Sequence, residues 1–407
     1  MFLRFLKTHN PALIDYGIYL LENNLIESDT YVLDLDSITA NARRLAKLAA
    51  ANGSSLYFMS KQIGRNPEIA QRVLSAGNVD GKEIFTGMVA VDFREAITLS
   101  TAGLPVKHLG HLCQIPHGSW DIALDMEPEV ITIYSLEKAS ELSKAAEKRG
   151  MVQDVLLRIW DDGDIFYPGQ EGGFRITAIP DVLASLKKLS GIRITGVTSF
   201  PCFLFNEDIG KSLPTPNAST MVRGTALVKE NGINITQINM PSCNSPATMP
   251  LAKELGATHL EPGHSLTGTN PDNLNEAEPL IPSLLYMSEV SHDHEGNSLC
   301  FGGGYYRRSK LKHALVKTGK GLMETEVITP DPEAIDYHLK LNGLFPAGSP
   351  VAMSFRTQIF VTRSRVALVE GLSQSRPVLH SIWDSCGNIV SAGNKISARN
   401  NASARQA

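Results

Sequence analysis

A closed barrel of parallel strands with helices between them, followed by a smaller and mainly antiparallel β domain, is the fold this sequence predicts. Three observations carry that α/β expectation. Eight short apolar runs of strand length, spread from residue 56 to residue 261, are separated by segments with helical spacing, the element count of a (β/α)8 or TIM barrel. No Gly-x-Gly-x-x-Gly follows an early strand, as an open doubly wound sheet would carry. After Gly268 the long helical patterns stop and strand-like runs take over.

The elements follow in order. Residues 11–26 read as a helix within an N-terminal helical segment, 1–30. Tyr31-Val32-Leu33-Asp34 is a short strand at the head of the barrel domain, expected over 31–268. Asp36 or Ser37 then caps a helix whose Ile38, Ala42, Leu45, Leu48 and Ala49 share one face. Barrel strands are expected at 56–60, 84–86, 106–109, 130–133, 154–160, 194–199, 235–240 and 258–261. Helices are expected near 67–76, 90–102, 118–126, 136–149, 178–189, 217–231 and 246–255. Thr269 to Glu276 is polar and turn-rich, and reads as a linker. The β-rich domain, 269–393, takes strands at 283–291, 298–302, 325–329, 350–361, 366–370 and 378–383. Residues 394–407, rich in Ser, Asn, Ala and Arg, read as a flexible tail.

Composition narrows the function classes. With 43% hydrophobic and 20% charged residues over 407 positions, the chain has ample material for a large core. A net charge of −4 points away from nucleic acid and from an anionic membrane surface. Five scattered cysteines without paired spacing argue against a disulfide framework and a zinc knuckle, and suit a reducing cytoplasm. The opening Met-Phe-Leu-Arg-Phe-Leu-Lys is too broken by charge for a signal peptide, and no apolar run has transmembrane length.

Candidate chemistry centres on Leu56-Tyr57-Phe58-Met59-Ser60-Lys61. A lysine at the carboxyl end of a buried strand sits where barrels of this kind place their reactions. Partly desolvated, its amine sheds a proton and forms a Schiff base with a carbonyl cofactor. Taken alone, it is more often a surface lysine closing a strand. Two hundred residues on, Leu260-Glu261-Pro262-Gly263-His264 ends the last barrel run. Arg158 interrupts an apolar strand, where a buried charge needs partners. Ser242-Cys243-Asn244-Ser245 follows a strand and opens a helix, so Ser245 is either an N-cap or part of a phosphate-binding turn. His108 and His111 close the third strand. Extended geometry sets residues three apart on opposite faces, so no shared metal is expected and His111 is the pocket candidate. His292-Asp293-His294-Glu295-Gly296 reads as a polar hairpin turn, not a metal site.

The lysine and Glu-Pro-Gly stretches, in this order and at this separation, resemble the pyridoxal-phosphate enzymes of the alanine racemase and ornithine/diaminopimelate decarboxylase type, known as fold type III. The likeness covers residues 31–268 and is nearest to the YhfX-like branch of alanine-racemase-domain proteins. It implies pyridoxal 5'-phosphate on Lys61, with Arg158 beside the ring and Ser245, Gly263 and His264 about the phosphate. It also implies Glu261 at the pyridine nitrogen. The racemases carry arginine there and the basic amino-acid decarboxylases glutamate, so this position departs from the racemase pattern. A carboxylate keeps the ring nitrogen protonated and makes the ring a strong electron sink. Where family members stack a histidine on the ring, this chain has Pro201, which leaves Phe200 or Cys202 to substitute.

In the second domain Tyr305 and Tyr306 are candidates for the racemases' catalytic tyrosine, which the partner subunit supplies, and Cys386 for the decarboxylases' cysteine. The Gly-Gly-Gly-Tyr-Tyr stretch, 302–306, is equally a bent strand. The resemblance thus implies an amino-acid substrate, a homodimer with shared sites, and reaction at Cα. Family likeness and the Asn-Ser turn lean toward a racemase or epimerase; Glu261 pulls toward a decarboxylase. A carrier or regulator of the cofactor, without turnover, is the third class, although relatives of that kind lack a second domain. The acidic loop Asp161-Asp162-Gly163-Asp164 favours either a cationic substrate or simply water.

Overall fold

A computed structural model describes residues 1–392, and the expected tail at 394–407 lies outside the described residues. The chain divides into two compact units. One comprises Met1–Asn41, Lys61–Ile69 and the residues from Leu266 onward; the other comprises Ala42–Ser60 and Ala70–Ser265. The chain opens with helices α1 (Phe2–His9) and α2 (Pro11–Glu22), then strand β1 (Thr30–Asp34) and the long helix α3 (Leu35–Asn52).

Among the described residues, eight parallel strands then close a barrel. They are β2 (Ser55–Met59), β3 (Phe85–Val89), β4 (Val106–Leu109), β5 (Val130–Ile133), β6 (Gln153–Trp160), β7 (Ile192–Thr198), β8 (Gln237–Asn239) and β9 (His259–Leu260). Each pairs with the next in chain order, and β9 pairs back onto β2. The eight expected runs are these eight strands. They are legible because both faces are covered: no residue of Val130–Ile133 is exposed, so the run is apolar but for Thr132 and does not alternate with exposed positions. Helices α4 (Pro67–Ala76), α5 (Phe93–Thr101), α6 (Trp120–Asp125), α7 (Leu136–Lys148), α8 (Ile179–Leu186), α9 (Pro216–Glu230) and α10 (Met249–Glu254) fall between them as expected. In α7 the Ser135 side chain accepts from the Lys138 amide, and Ala139, Leu142, Ser143 and Ala146 bury one face.

The other unit is built on a ten-stranded sheet among the described residues. Its later strands are β10 (Leu284–His294), β11 (Asn297–Phe301), β12 (His313–Thr318), β13 (Gly321–Ile328), β14 (His338–Asn342), β15 (Pro350–Met353), β16 (Arg365–Glu370), β17 (Val378–Asp384) and β18 (Ile389–Ala392). Antiparallel pairings in the order β10, β11, β14, β13, β12, β15 and back to β10 close a ring of six. The expected mainly antiparallel β domain is therefore present. Strands β12, β14 and β18 were not foreseen, because polar and charged residues bound or break the short apolar runs of β12 and β14, and all four residues of β18 are exposed.

β1 corrects the expectation that it heads the barrel. It pairs antiparallel with β10 and parallel with β16, so both its edges are taken in the second sheet. All five residues are buried, and an apolar run covered on both faces carries no mark of which sheet will receive it. Helices α1 and α2 belong to the same unit: Leu3, Leu6, Leu13, Ile14 and Leu20 pack with Val32, Leu285, Met287, Ala367 and Val369 in one apolar core.

The polar stretch at 269–276 is not a solvated linker either. Thr269, Asn270, Asp272 and Asn273 are buried, and a short helical turn covers Pro271–Asn275. Asn273 Nδ2 donates to Gly268 O (3.2 Å) and Leu280 O (2.8 Å), and its Oδ1 accepts from the Leu280 amide (2.6 Å). These polar side chains replace a backbone ladder. The His292–Gly296 stretch is the hairpin expected: His294 pairs with Asn297 across Glu295 (φ 49) and Gly296 (φ 78), the two left-handed positions of a type I′ turn.

The Gly-Gly-Gly-Tyr-Tyr stretch is a loop, not a bent strand, since β11 stops at Phe301. Gly303 (φ 129) passes so close to Asp29 that a Cβ there would meet Asp29 Oδ2 at 1.9 Å. Asp29 is held in place: its Oδ1 accepts from the Tyr286 hydroxyl (2.8 Å) and from Ser364 Oγ. Gly303→Ala is expected to destabilise the chain by about 3 kcal/mol, combining overlap with left-handed strain. A urea midpoint equal to that of the unaltered chain would show that the loop moves aside without cost.

Candidate active site

The carboxyl ends of the barrel strands gather a buried polar group around Glu261, whose side chain is 1% exposed. Glu261 Oε1 accepts from Asn239 Nδ2 at the end of β8 (2.7 Å) and pairs with His108 Nδ1 on β4 (2.8 Å). Oε2 faces His111 Nε2 at 3.3 Å. The other His108 nitrogen, Nε2, meets the Thr132 hydroxyl on β5 at 2.7 Å. Burial alone would push the Glu261 carboxyl up, but the charge of His111 and the bonds from His108 and Asn239 outweigh it and hold the pKa at about 2. Glu261 is a buried carboxylate that stays ionised.

His111 reaches this group by a turn that extended geometry did not foresee. β4 ends at Leu109, and Gly110 takes φ 73, which swings His111 back until its ring lies 5.2 Å from that of His108. A Cβ on residue 110 would meet Thr132 O at 2.5 Å, so glycine is required. The ground for expecting no shared metal at the two histidines, opposed faces, is thereby corrected: with Glu261 they form a group whose spacing could hold an ion. Their ring nitrogens and the Glu261 carboxylate fall within 4.8 Å of one another, and they pair directly among themselves.

Arg158 is buried on β6 and finds partners in carbonyls and a phenol. Its guanidinium donates to His111 O (3.3 Å), Tyr134 OH (2.5 Å) and Gln170 O (2.6 Å), and lies over the Tyr134 ring at 4.8 Å. Arg158 thus fixes the backbone that carries His111. Phe200 packs edge-on against the His111 ring, 5.7 Å between centroids, with Tyr167 on another side at 5.5 Å. Cys202 is fully buried, its thiol directed at Ser199 O and pushed up by burial. Three of the sequence candidates, Arg158, Phe200 and Glu261, therefore converge on a fourth, His111.

Asn244 ties the two late motifs together. Its Nδ2 donates to Met240 O (3.0 Å), its Oδ1 accepts from the Glu261 amide (2.7 Å), and its carbonyl accepts from Ser265 Oγ (2.6 Å). The turn it belongs to places Ser242 (φ 88) and Cys243 (φ 46) in left-handed conformations, strain of a kind that concentrates at ligand sites. Ser245 is not an N-cap, because α10 begins at Met249 with Thr248 before it. Gly263 and His264 follow in the loop after β9, where the Met59 amide donates to Pro262 O (3.2 Å) and so continues the barrel register. The acidic loop is committed elsewhere: Asp161 pairs with Arg223 (2.8 Å), Asp162 with Arg175, and Asp164 accepts from Thr220 Oγ1 (2.8 Å).

The remaining candidates lie in the other unit. Lys61 starts the short turn Lys61–Ile63, directly beyond the carboxyl end of β2. The Tyr305 amide donates to Asp336 Oδ2 (3.1 Å), and burial pushes its phenol up. Tyr306 OH accepts from Gln358 Nε2 (3.0 Å). Cys386 is an exposed free thiol in the turn after β17.

This donor set fits pyridoxal phosphate at one testable point. Glu261 Oε2 and Asn239 Oδ1 are buried acceptors that receive no hydrogen bond of good geometry among the described residues. A buried acceptor beside a strongly acidic carboxyl calls for a donor, and a protonated ring nitrogen is one.

Residues 33–271 match the family described as alanine racemase, N-terminal domain. This chain belongs to that family. Its residues 285–379 match a second description, YhfX-like, C-terminal domain. The "Uncharacterized protein YhfX" of Escherichia coli (strain K12) is 44% identical to it over 394 residues, which span 96% of this chain and 100% of that protein. Among solved structures, D-threonine aldolase from Filomicrobium marinum is 14% identical, with 89% of this chain and 95% of that one covered at a TM-score of 0.66. Alanine racemase of Clostridium difficile 630 in complex with cycloserine is 17% identical, with 87% and 98% covered at 0.61. D-threo-3-hydroxyaspartate dehydratase from Delftia sp. HT23 is 15% identical, with 90% and 97% covered at 0.60. At these identities the likeness establishes the alanine racemase fold, a parallel barrel followed by an antiparallel β domain. No helix among the described residues is long and apolar enough to cross a membrane.

Proposed function

We propose that this member of the alanine racemase N-terminal domain family is a pyridoxal-phosphate-dependent enzyme acting at Cα of an amino acid, a racemase or epimerase first of all. The observation that carries the reading is the buried, ionised Glu261 with an acceptor oxygen left over. When bound, the cofactor would draw electrons from Cα. Lys61 would hold it, Glu261 would keep its ring nitrogen protonated, and the strained turn at Ser242–Ser245 with Gly263 and His264 would take the phosphate. His111 and Phe200 would flank the ring, with Arg158 fixing the His111 backbone. Racemisation needs a second acid–base group opposite Lys61, for which Tyr305 or Tyr306 is the candidate, supplied across a homodimer. Five free thiols suit a reducing, cytoplasmic setting.

Decarboxylation is the second reading, and Glu261 favours it, since loss of carbon dioxide also leans on a protonated ring; Cys386 would then be the candidate acid. Racemase, aldolase and dehydratase among the structural neighbours all share the fold, so the bond broken must be measured. Single amino acids incubated with the enzyme, followed by chiral chromatography with carbon dioxide trapped alongside, decide it. A new enantiomer without carbon dioxide supports the first reading, and carbon dioxide release supports the second. Neither, for any amino acid, would favour a cofactor carrier without turnover.

Assembly offers a separate check. The expected state is a head-to-tail two-fold dimer. Analytical ultracentrifugation at assay concentrations should give the dimer mass, and a fully active monomer would contradict shared sites.

A further inference from the structure

A carboxyl buried as deeply as Glu261 ordinarily takes up a proton, because desolvation penalises the charged form. A protonated Glu261 would be useless as proposed above: it would donate to the ring nitrogen and leave the ring uncharged. Something must keep the proton off it. Two donors and a nearby ring do so: Asn239 Nδ2 at 2.7 Å and His108 Nδ1 at 2.8 Å donate to Oε1, and His111 Nε2 faces Oε2 at 3.3 Å. The amide cannot titrate, but it leaves no charge behind either. The histidines set the balance.

We propose that His108 and His111 are positioning residues that hold Glu261 ionised and, through it, keep the cofactor's ring nitrogen protonated; this rests on the reading of Glu261 given above. Each is oriented for the task. The Thr132 hydroxyl at His108 Nε2 (2.7 Å) fixes the ring with its other nitrogen, Nδ1, at Glu261 Oε1 (2.8 Å). His111 is turned inward by Gly110, its backbone carbonyl is gripped by Arg158, and Phe200 stands edge-on to its ring. The division of labour follows the two oxygens: Oε1 is filled by His108 and Asn239, and Oε2 keeps room beside His111 for one further donor. Neither histidine touches reacting atoms in this scheme.

The test uses leucine to remove both imidazoles, and asparagine at 108 to restore the one hydrogen-bond donor. Asparagine at 108 mimics the Nδ1 donor and leaves His111 in place, so H108N is the conservative variant, while H108N/H111Q, polar but uncharged at both positions, serves as the folding control for H108L/H111L. Holoenzyme reconstituted with ring-15N pyridoxal phosphate reports the ring by its nitrogen shift. Cofactor-free chain with 13C-labelled glutamate reports the Glu261 carboxyl directly. The unaltered chain and H108N should give a protonated ring. H108L/H111L should give a neutral ring, with the Glu261 titration moved up by about 3 pH units or more. A protonated ring and an ionised Glu261 in folded H108L/H111L overturn the inference alone. A neutral ring in the unaltered protein overturns the reading of Glu261 and this inference with it. One tightly held transition-metal ion per chain in the protein as purified also overturns it, because the imidazole nitrogens would then be ligands and not donors.

Discussion

Lys61→Ala should purify as a folded chain without the visible absorbance of bound cofactor, and its turnover should fall by about four orders of magnitude, the upper range for a single acid–base group. The unaltered protein should show that absorbance, borohydride should bleach it, and peptide mapping should find the cofactor fixed to this one lysine. The expectation rests on chemistry that no neighbouring side chain can replace. A primary amine at the carboxyl end of a barrel strand can shed its proton and add to an aldehyde; the guanidinium of a Lys61→Arg variant cannot. Arginine should therefore fail as completely as alanine, although it restores charge and length. If either variant still traps cofactor covalently in the same pocket, another amine is the anchor and the assignment is wrong.

The barrel was legible because its strands are short, apolar and covered on both faces, and because seven amphipathic helices fall between them. β1 was misplaced by the same property: Tyr31-Val32-Leu33 is as apolar as a barrel strand, and nothing local says that Leu285 and Ala367 will flank it. Within the site, Glu261 and Ser245 stood out through neighbours with strong signatures, Pro-Gly and Asn-Ser. Asn239 and Thr132 did not, yet both hold the charged group in place. Their signal was faint: a polar side chain at the inward position near the end of an apolar run, as with Gln237 and Asn239 two apart in β8. His108 and His111 were separated on paper by a rule for extended chain that Gly110 breaks. A glycine just before a histidine at a strand end is a cue that such a rule will not hold. The linker was misjudged for a related reason, since polar composition cannot distinguish side chains in water from those, like Asn273, that bond buried backbone.

Glu261→Gln is expected to retain cofactor and lose at least two orders of magnitude in turnover. Glutamine keeps the shape and one donor–acceptor pair, but removes the charge that a protonated ring nitrogen would meet. One pre-placed electrostatic partner in a dry site contributes about 3 kcal/mol to a barrier, and each 1.4 kcal/mol is about tenfold in rate. Binding should persist, because Lys61 and the turn at Ser242–Ser245, proposed to hold the cofactor, are untouched. The pH dependence has a definite sign. The carboxyl is held at about 2 against an ordinary 4.5, so its ionised form stabilises the fold fully above pH 4.5, and that contribution fades as the pH falls toward 2. The stability gap between the unaltered chain and the glutamine variant should therefore narrow over that acid range, which urea titrations at stepped pH can follow. Arginine, the racemases' residue at this position, gives the sharper contrast. It would bury a cation beside the rings of His108 and His111, where a carboxylate now stands. A Glu261→Arg variant that racemised as fast as the unaltered enzyme would mean that the ring works uncharged. The electron sink proposed around Glu261 would then have no part in the reaction, and the decarboxylase reading, which leans on it most, would be the first to go.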